Sequence, residues 1–281
     1  MNKYLISLTV CIFFVSSCAS VEVTTNNVEN EKESPFEIDE NQKFLDFLEA
    51  DWEKTLTNNP LFATYTGDKR FNDKINPNTI DQFKKDRLSD FESLEKLNSI
   101  DYDKLNPDNK LNYNLKKFDI ESDLNLSQFP IYYLRLNQRG GIQSFYETGN
   151  RLVYQSKKDY YDWLNRLNQF SENILNFLEI NKQGLQNGYT QPKLVTQGVI
   201  SQIDAIINSD INSNPYLKVF IDADETLFSQ NEKLELINDA KELIINKINP
   251  AYIKLNNFLK NDYLVNSRDT IGIKDIPEGK K

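Results

Sequence analysis

Between Ser156 and Gly184 the apolar residues fall on one stripe: Tyr160, Trp163, Leu164, Leu167, Phe170, Ile174, Phe177 and Leu178. Spacings of three and four sustained over that length are the period of an α-helix with one buried face, and alternating strand geometry cannot produce them. The period recurs in Phe44, Leu45, Leu48, Trp52 and Leu56, in Phe83, Leu88, Phe91 and Leu94, and in Leu111, Leu115 and Phe118. It returns in Val195, Val199, Ile203 and Ile206, and again from Leu234 through Phe258, where Pro250 is expected to kink or split the helix. These stripes, with Trp52 and Trp163 among them, are the expected core.

The punctuation agrees. Thr79 with Gln82, Ser156 with Asp159 and Ser229 with Glu232 have capping-box spacing, and Asn106 before Pro107 pairs a cap with proline at the first helical position. Asn58-Asn59-Pro60 ends the first helix, because the residue before proline is pushed out of helical geometry. Glycine and proline number nine each in 281 residues, too few to punctuate a turn-rich β fold, and no strand and helix segments alternate. The expected fold is all-α: an array of amphipathic helices with one long irregular loop over residues 127–150, which contains Gly140-Gly141.

Charge and composition remove several function classes. A net charge of −9 supplies no basic surplus for neutralising phosphates, so a nucleic-acid partner is not expected. The chain has no histidine and only two cysteines, which leaves the usual zinc ligand sets and histidine-based triads unassembled.

The N-terminus reads as an address. Lys3, an apolar run from Tyr4 to Val15 and then Val15-Ser16-Ser17-Cys18 describe an export signal ending in a lipobox-like sequence, too short to span a bilayer. Residues 1–17 are expected to be a signal peptide and Cys18 the lipidated first residue of the mature chain. Residues 18–40 are expected to carry that lipid and a polar tether, and 41–281 the helical body. Ala19 after the cysteine suits passage to the outer membrane, facing the periplasm or the cell surface.

One motif competes with a purely helical reading. "LKVFIDADETLF", residues 217–228, places Asp222 and Asp224 as the nucleophile and acid-base pair of haloacid dehalogenase-type phosphatases would stand. That chemistry needs the aspartates at the end of a parallel strand, and no βαβ units surround them. The favoured reading has Val219 to Ile221 packing on helices and the acidic turn leading into the helix capped at Ser229. A calcium loop fails as well, with Leu227 where glycine is needed and Lys233 where a bidentate glutamate belongs.

Taken in order, a set of short segments resembles one family. They are Asn59-Pro60 with Ala63-Thr64 and Gly67-Asp68; Leu111-Asn112-Tyr113; Leu136-Asn137-Gln138 with Gly140-Gly141; and Asp159-Tyr160 with Trp163-Leu164. Then follow Gly184-Leu185, Gly188 to Pro192, Pro250-Ala251-Tyr252, Arg268 to Gly272 and Pro277 to Gly279. Residues 41–281 are similar to the N-terminal half of the bacterial domain of unknown function 885 family. The resemblance implies a helical, metallopeptidase-like architecture in which a histidine-glutamate motif and zinc belong to the C-terminal half. The expectation is a lipid-anchored portion of such a peptidase, with no cofactor of its own and no catalysis by itself; the alternative is a stand-alone envelope lipoprotein that binds a peptide or protein partner. Asn137, Gln138, Gly140 and Gly141 are the candidate cleft residues, since they interrupt regular helices and function concentrates in such loops.

Overall fold

The computed structural model describes residues 39–280, so the signal sequence, Cys11, Cys18 and nearly all of the tether lie outside the described residues. Residues Ile38–Lys281 form one compact unit. Its helices are α1 (Glu40–Asn58), α2 (Pro60–Tyr65), α3 (Ile80–Asn98), α4 (Pro107–Leu126), α5 (Tyr146–Arg151), α6 (Lys157–Gln186), α7 (Lys193–Ile207), α8 (Lys218–Ile221), α9 (Gln230–Leu243) and α10 (Asn249–Phe258). No strand occurs among the described residues, where extended pairing is limited to an isolated bridge between Pro192 and Arg268.

The caps form as their chemistry requires. Thr79 accepts from the Gln82 amide at 3.1 Å, Asn106 from the Asn109 amide at 2.8 Å, Ser229 closes a reciprocal box with Glu232, and Asp159 reaches back to accept from the amide and hydroxyl of Ser156. Each satisfies amide donors that the first helical turn leaves unpaired. Helix α6, 30 residues long, is the spine, and its stripe is buried from Tyr160 to Leu178, with Leu164 half-buried. Against it pack α9 and α10, with α7 seated on α10, in one continuous apolar core. Pro250 neither breaks nor splits the last long helix: a π turn over Ile244–Ile248 carries α9 into α10, with the Asn249 amide donating to the Ile244 carbonyl. Widening one turn lets the chain remain helical through a residue that has no amide to give.

A second core joins α1, α3 and α4 through Phe44, Leu97, Tyr113, Ile120 and Leu124. Here the expected stripes were only partly right. Leu88, Phe91, Leu111, Leu115 and Phe118 are exposed, Phe118 by 68%, while Tyr113, Ile120 and Leu124 carry the buried face of α4. Helix α4 bears apolar residues on two faces, and periodicity identifies a stripe without saying which one meets the core. Trp52 is likewise not core: it is half-exposed and meets Phe62 edge-on at 5.7 Å.

Asp222 and Asp224 do not end a strand. They follow the short helix α8; Asp222 pairs with Lys218, and Asp224 accepts from the amide and hydroxyl of Thr226, each at 2.8 Å. The phosphatase alternative is therefore left without its framework. The aspartates form the turn that delivers the chain to Ser229, as the favoured reading had it.

The small bundle of α1, α3 and α4 contains a pH-sensitive carboxylate. Burial, with Asp123 and Asp86 adding negative charge against Lys54 and Lys116, pushes Asp90 up to about 6. An acid that binds its proton more tightly when folded stabilises the fold at low pH, and that contribution is lost as pH rises from the unfolded value, about 3.9, through the folded one. Asp90→Asn is therefore expected to raise stability at pH 7.5 by roughly 1 kcal/mol, after allowance for solvent screening of a half-exposed group. Urea unfolding at pH 7.5 and at pH 4 tests this: the gain should vanish at the lower pH, and an equal gain at both would assign it to something other than titration.

Candidate binding groove

Residues 71–78, between α2 and α3, form a strap whose later part, 74–78, has no regular structure, yet their backbone groups find partners in one row of α6 side chains. Arg166 donates through Nε to the Lys74 carbonyl at 2.7 Å and through Nη2 to the Phe71 carbonyl and Thr64 Oγ1, both at 2.9 Å. Gln169 donates to the Asp73 carbonyl at 2.6 Å. Asn173 donates to the Asn76 carbonyl at 2.8 Å and accepts from the Asn78 amide at 3.0 Å, as a neighbouring strand would. A half-buried strap largely without regular structure must place its polar backbone atoms somewhere, and here a helix supplies partners for several of them.

The opposite wall is the irregular segment 134–145, which follows a 3₁₀ turn at Ile131–Leu134, contains another at Ile142–Ser144 and leads into α5. Gln143, almost fully buried, donates to the Asn137 carbonyl at 2.8 Å and to Gln202 Oε1 at 2.9 Å, while Gln202 donates to the Gln138 carbonyl at 2.9 Å. From beneath, Tyr252 donates its hydroxyl to the Ile142 carbonyl at 2.7 Å, within 2.6 Å of the buried Tyr216 hydroxyl. The loop is thereby fixed to α7 and α10 rather than left free.

Between strap and loop lies a groove of about 810 Å³. Phe145, Phe170 and Phe177 give it an aromatic base, and Phe62, Tyr65 and Phe83 stand along the α2 and α3 side. Amides interrupt this surface at Asn59, Asn76, Asn78, Asn137 and Asn173. Its basic side chain is Arg135, whose Nη1 donates to Asn78 Oδ1 at 2.8 Å and whose guanidinium lies 5.2 Å from the Phe83 ring centre. Asp86 faces the same space but is engaged by Gln82 at 2.8 Å. A concave, mainly aromatic surface with a few placed polar groups is what a small organic or peptide ligand requires.

Three of the four candidate cleft residues, Asn137, Gly140 and Gly141, line this groove, and Gln138 does not. The Gln138 side chain turns toward α7, where a Cβ on Gly198 would lie 2.4 Å from its Oε1. Gly141 has an ordinary extended backbone; its small size matters because a Cβ there would lie 3.0 Å from the Asn137 carbonyl oxygen. Sequence reasoning missed Arg135 and the whole α2–α3 wall. Arg135 had one available signal, as the lone charge in Tyr132-Tyr133-Leu134-Arg135-Leu136, whereas Asn78 and Asn173 meet only through the fold.

Zinc is a different matter. With no histidine in the sequence, and no group of three metal-binding Cys, Asp or Glu side chains among the described residues, the donors present do not fit a zinc centre. No described helix is long and apolar enough to cross a membrane.

Fold and groove together define an all-helical scaffold with a preformed, amide-studded aromatic cleft. Residues 60–281 match the family described as bacterial protein of unknown function (DUF885), and the chain belongs to that family. A crystal structure from Colwellia psychrerythraea, of a protein described provisionally as a lipoprotein, superposes with a TM-score of 0.73 at 17% identity. The match covers 86% of this chain and 44% of the other, so the chain spans less than half the length of that relative. A comparison with curated proteins finds no match.

Proposed function

We propose that this protein is an envelope lipoprotein, anchored through Cys18, whose helical body supplies one wall of a peptide-binding cleft. In this reading it corresponds to the N-terminal portion of a longer metallopeptidase-like fold and has no hydrolytic activity by itself. The groove beside Asn137, Gly140 and Gly141 is the observation that carries the proposal, because it is concave, amide-lined and, at about 810 Å³, of the size that ligand sites have. The lipobox-like Val15-Ser16-Ser17-Cys18 supports the anchor, and the description of the Colwellia relative agrees with it. Any zinc would come with the other portion of the fold, since the donors here do not fit it.

The stand-alone alternative, in which the body docks a protein partner, has its own support. Leu111, Leu115 and Phe118 form an exposed apolar stripe along the outer side of α4. In the favoured reading that stripe is covered by the remainder of the longer fold.

One preparation tests both parts of the proposal. The chain expressed with its own leader should sediment with bacterial membranes, and Cys18→Ala should fail to acquire lipid. The purified chain should bind Ala-Ala-Phe saturably, read by fluorescence of Trp52, which abuts groove residue Phe62, and Trp163, which stacks on groove residue Phe145 at 5.4 Å. A lipid-free chain would overturn the anchor. Absence of any peptide response would overturn the cleft.

A further inference from the structure

The groove's polar groups are unequal in one respect. Its amides are largely engaged in holding the walls, whereas Arg135 has a cation with no carboxylate within ion-pairing reach among the described residues. The guanidinium carries five N–H donors, of which one is used, on Asn78. Asn78 is itself fixed by its amide to Asn173, so the arginine is held against Phe83 by a partner tied to the α6 spine. Arg135 is exposed at the rim of the groove, and crowding by the neighbouring walls lowers its pKa without an acidic group to offset it.

An arginine held in place, without a carboxylate partner and next to an aromatic ring is suited to a planar anion that arrives with an apolar group attached. We propose that the groove binds the free C-terminal carboxylate of a peptide ending in an apolar or aromatic residue, with Arg135 as the carboxylate anchor. At a C-terminus the carboxylate and the last side chain branch from one carbon. A carboxylate on Arg135 therefore places that side chain at Phe83 and the neighbouring aromatic surface. The amides at Asn76 and Asn137 stand along the same groove, where the preceding peptide backbone would run. This assignment rests on the peptide reading above and adds which end of the peptide is recognised.

The test compares four probes on the purified chain by tryptophan fluorescence: Ala-Ala-Phe, its C-terminal amide, acetyl-Glu-Phe-amide, and 3-phenylpropanoate. Ala-Ala-Phe should bind about tenfold more tightly than its amide, the size expected for one charge-assisted hydrogen-bonded contact. Arg135→Gln should abolish that preference without lowering the melting temperature, and Arg135→Lys should keep part of it. Arg139→Gln, at an exposed arginine outside the groove lining, should leave it intact.

Equal binding of acid and amide, or a preference that survives Arg135→Gln, would overturn the carboxylate site while leaving the peptide reading standing. Acetyl-Glu-Phe-amide binding as tightly as Ala-Ala-Phe would move recognition to an acidic side chain and overturn the C-terminal assignment. If neither peptide binds but 3-phenylpropanoate binds in an Arg135-dependent way, the carboxylate site stands and the peptide reading falls. Silence from all four probes would remove both.

Discussion

Replacing Arg166 with methionine is expected to destabilise the protein by about 3–5 kcal/mol, although no acidic side chain is hydrogen-bonded to it. Arg166 is fully buried in the middle of α6, and burial lowers its pKa to about 10, so the cation itself is held at a cost. What offsets that cost is its set of acceptors. The carbonyls of Lys74 and Phe71 and the Thr64 hydroxyl receive bonds of 2.7 to 2.9 Å, with the Pro60 carbonyl at 3.4 Å. Methionine fills much of the same volume, so the expected loss comes from three bonds to a charged donor rather than from a cavity, at about 1.5–3 kcal/mol each, with the Lys74 carbonyl left without a partner while the Phe71 carbonyl keeps the Lys74 amide. Recovery of the guanidinium's hydration in the unfolded chain brings the sum down to the range given. A melting temperature lower by roughly 10 °C should follow. Limited proteolysis should show cleavage between residues 71 and 78 before the rest of the body is cut. A loss below about 1 kcal/mol would mean that the strap is held by its apolar contacts and that the arginine merely occupies space.

That row of α6 side chains also shows where sequence reasoning reaches and where it stops. The buried stripe of α6 and its capping box at Ser156 are local facts, fixed by residues within a few turns of one another, and both were legible. Arg166, Gln169 and Asn173 lie outside that stripe and resemble a solvated helix face. Their partners are 92 to 106 residues away for Arg166, in α2 and the strap, and 95 to 97 for Asn173, in a part of the strap with no periodicity of its own. The groove divides in the same way. Its loop wall announced itself by interrupting the helices at residues 127–150, while its other wall is assembled from Phe62, Asn78 and Phe83, each ordinary in its local context. The two-faced helix α4 is the complementary case, in which the local signal was strong but did not decide between faces. Trp52 is a related case: it continues the stripe of Phe44 and Leu48, yet it stays half-exposed with Phe62 edge-on against it.

Gly149→Ala, in α5, is expected to be more damaging than the same change at Gly140 or Gly141 in the irregular segment before it. A Cβ at Gly149 would stand 2.5 Å from both Cε2 and Cζ2 of Trp163 and 2.7 Å from its Nε1, closer than real side-chain contacts permit. Trp163 has little room to retreat: it is 2% exposed, belongs to the spine helix, and stacks on Phe145 at 5.4 Å, which in turn stacks on Phe170 at 4.1 Å. The strain must therefore move α5 or push through the stacked rings into the groove base. Overpacking of this kind costs about 1–3 kcal/mol, and a rigid indole as the opposing group favours the upper end. Gly140→Ala, with nothing within 4 Å of its added carbon, is the matched control and should stay within about 0.5 kcal/mol of the parent. Trp163→Leu opens a cavity by itself but gives the new methyl somewhere to go. The double variant Gly149→Ala/Trp163→Leu should consequently be more stable than the sum of the single effects predicts, by more than about 1 kcal/mol. Strict additivity would show that α5 simply slides aside. A shift in tryptophan fluorescence together with weakened peptide binding in Gly149→Ala would show instead that the strain reaches Phe145 and Phe170, and with them the floor of the groove.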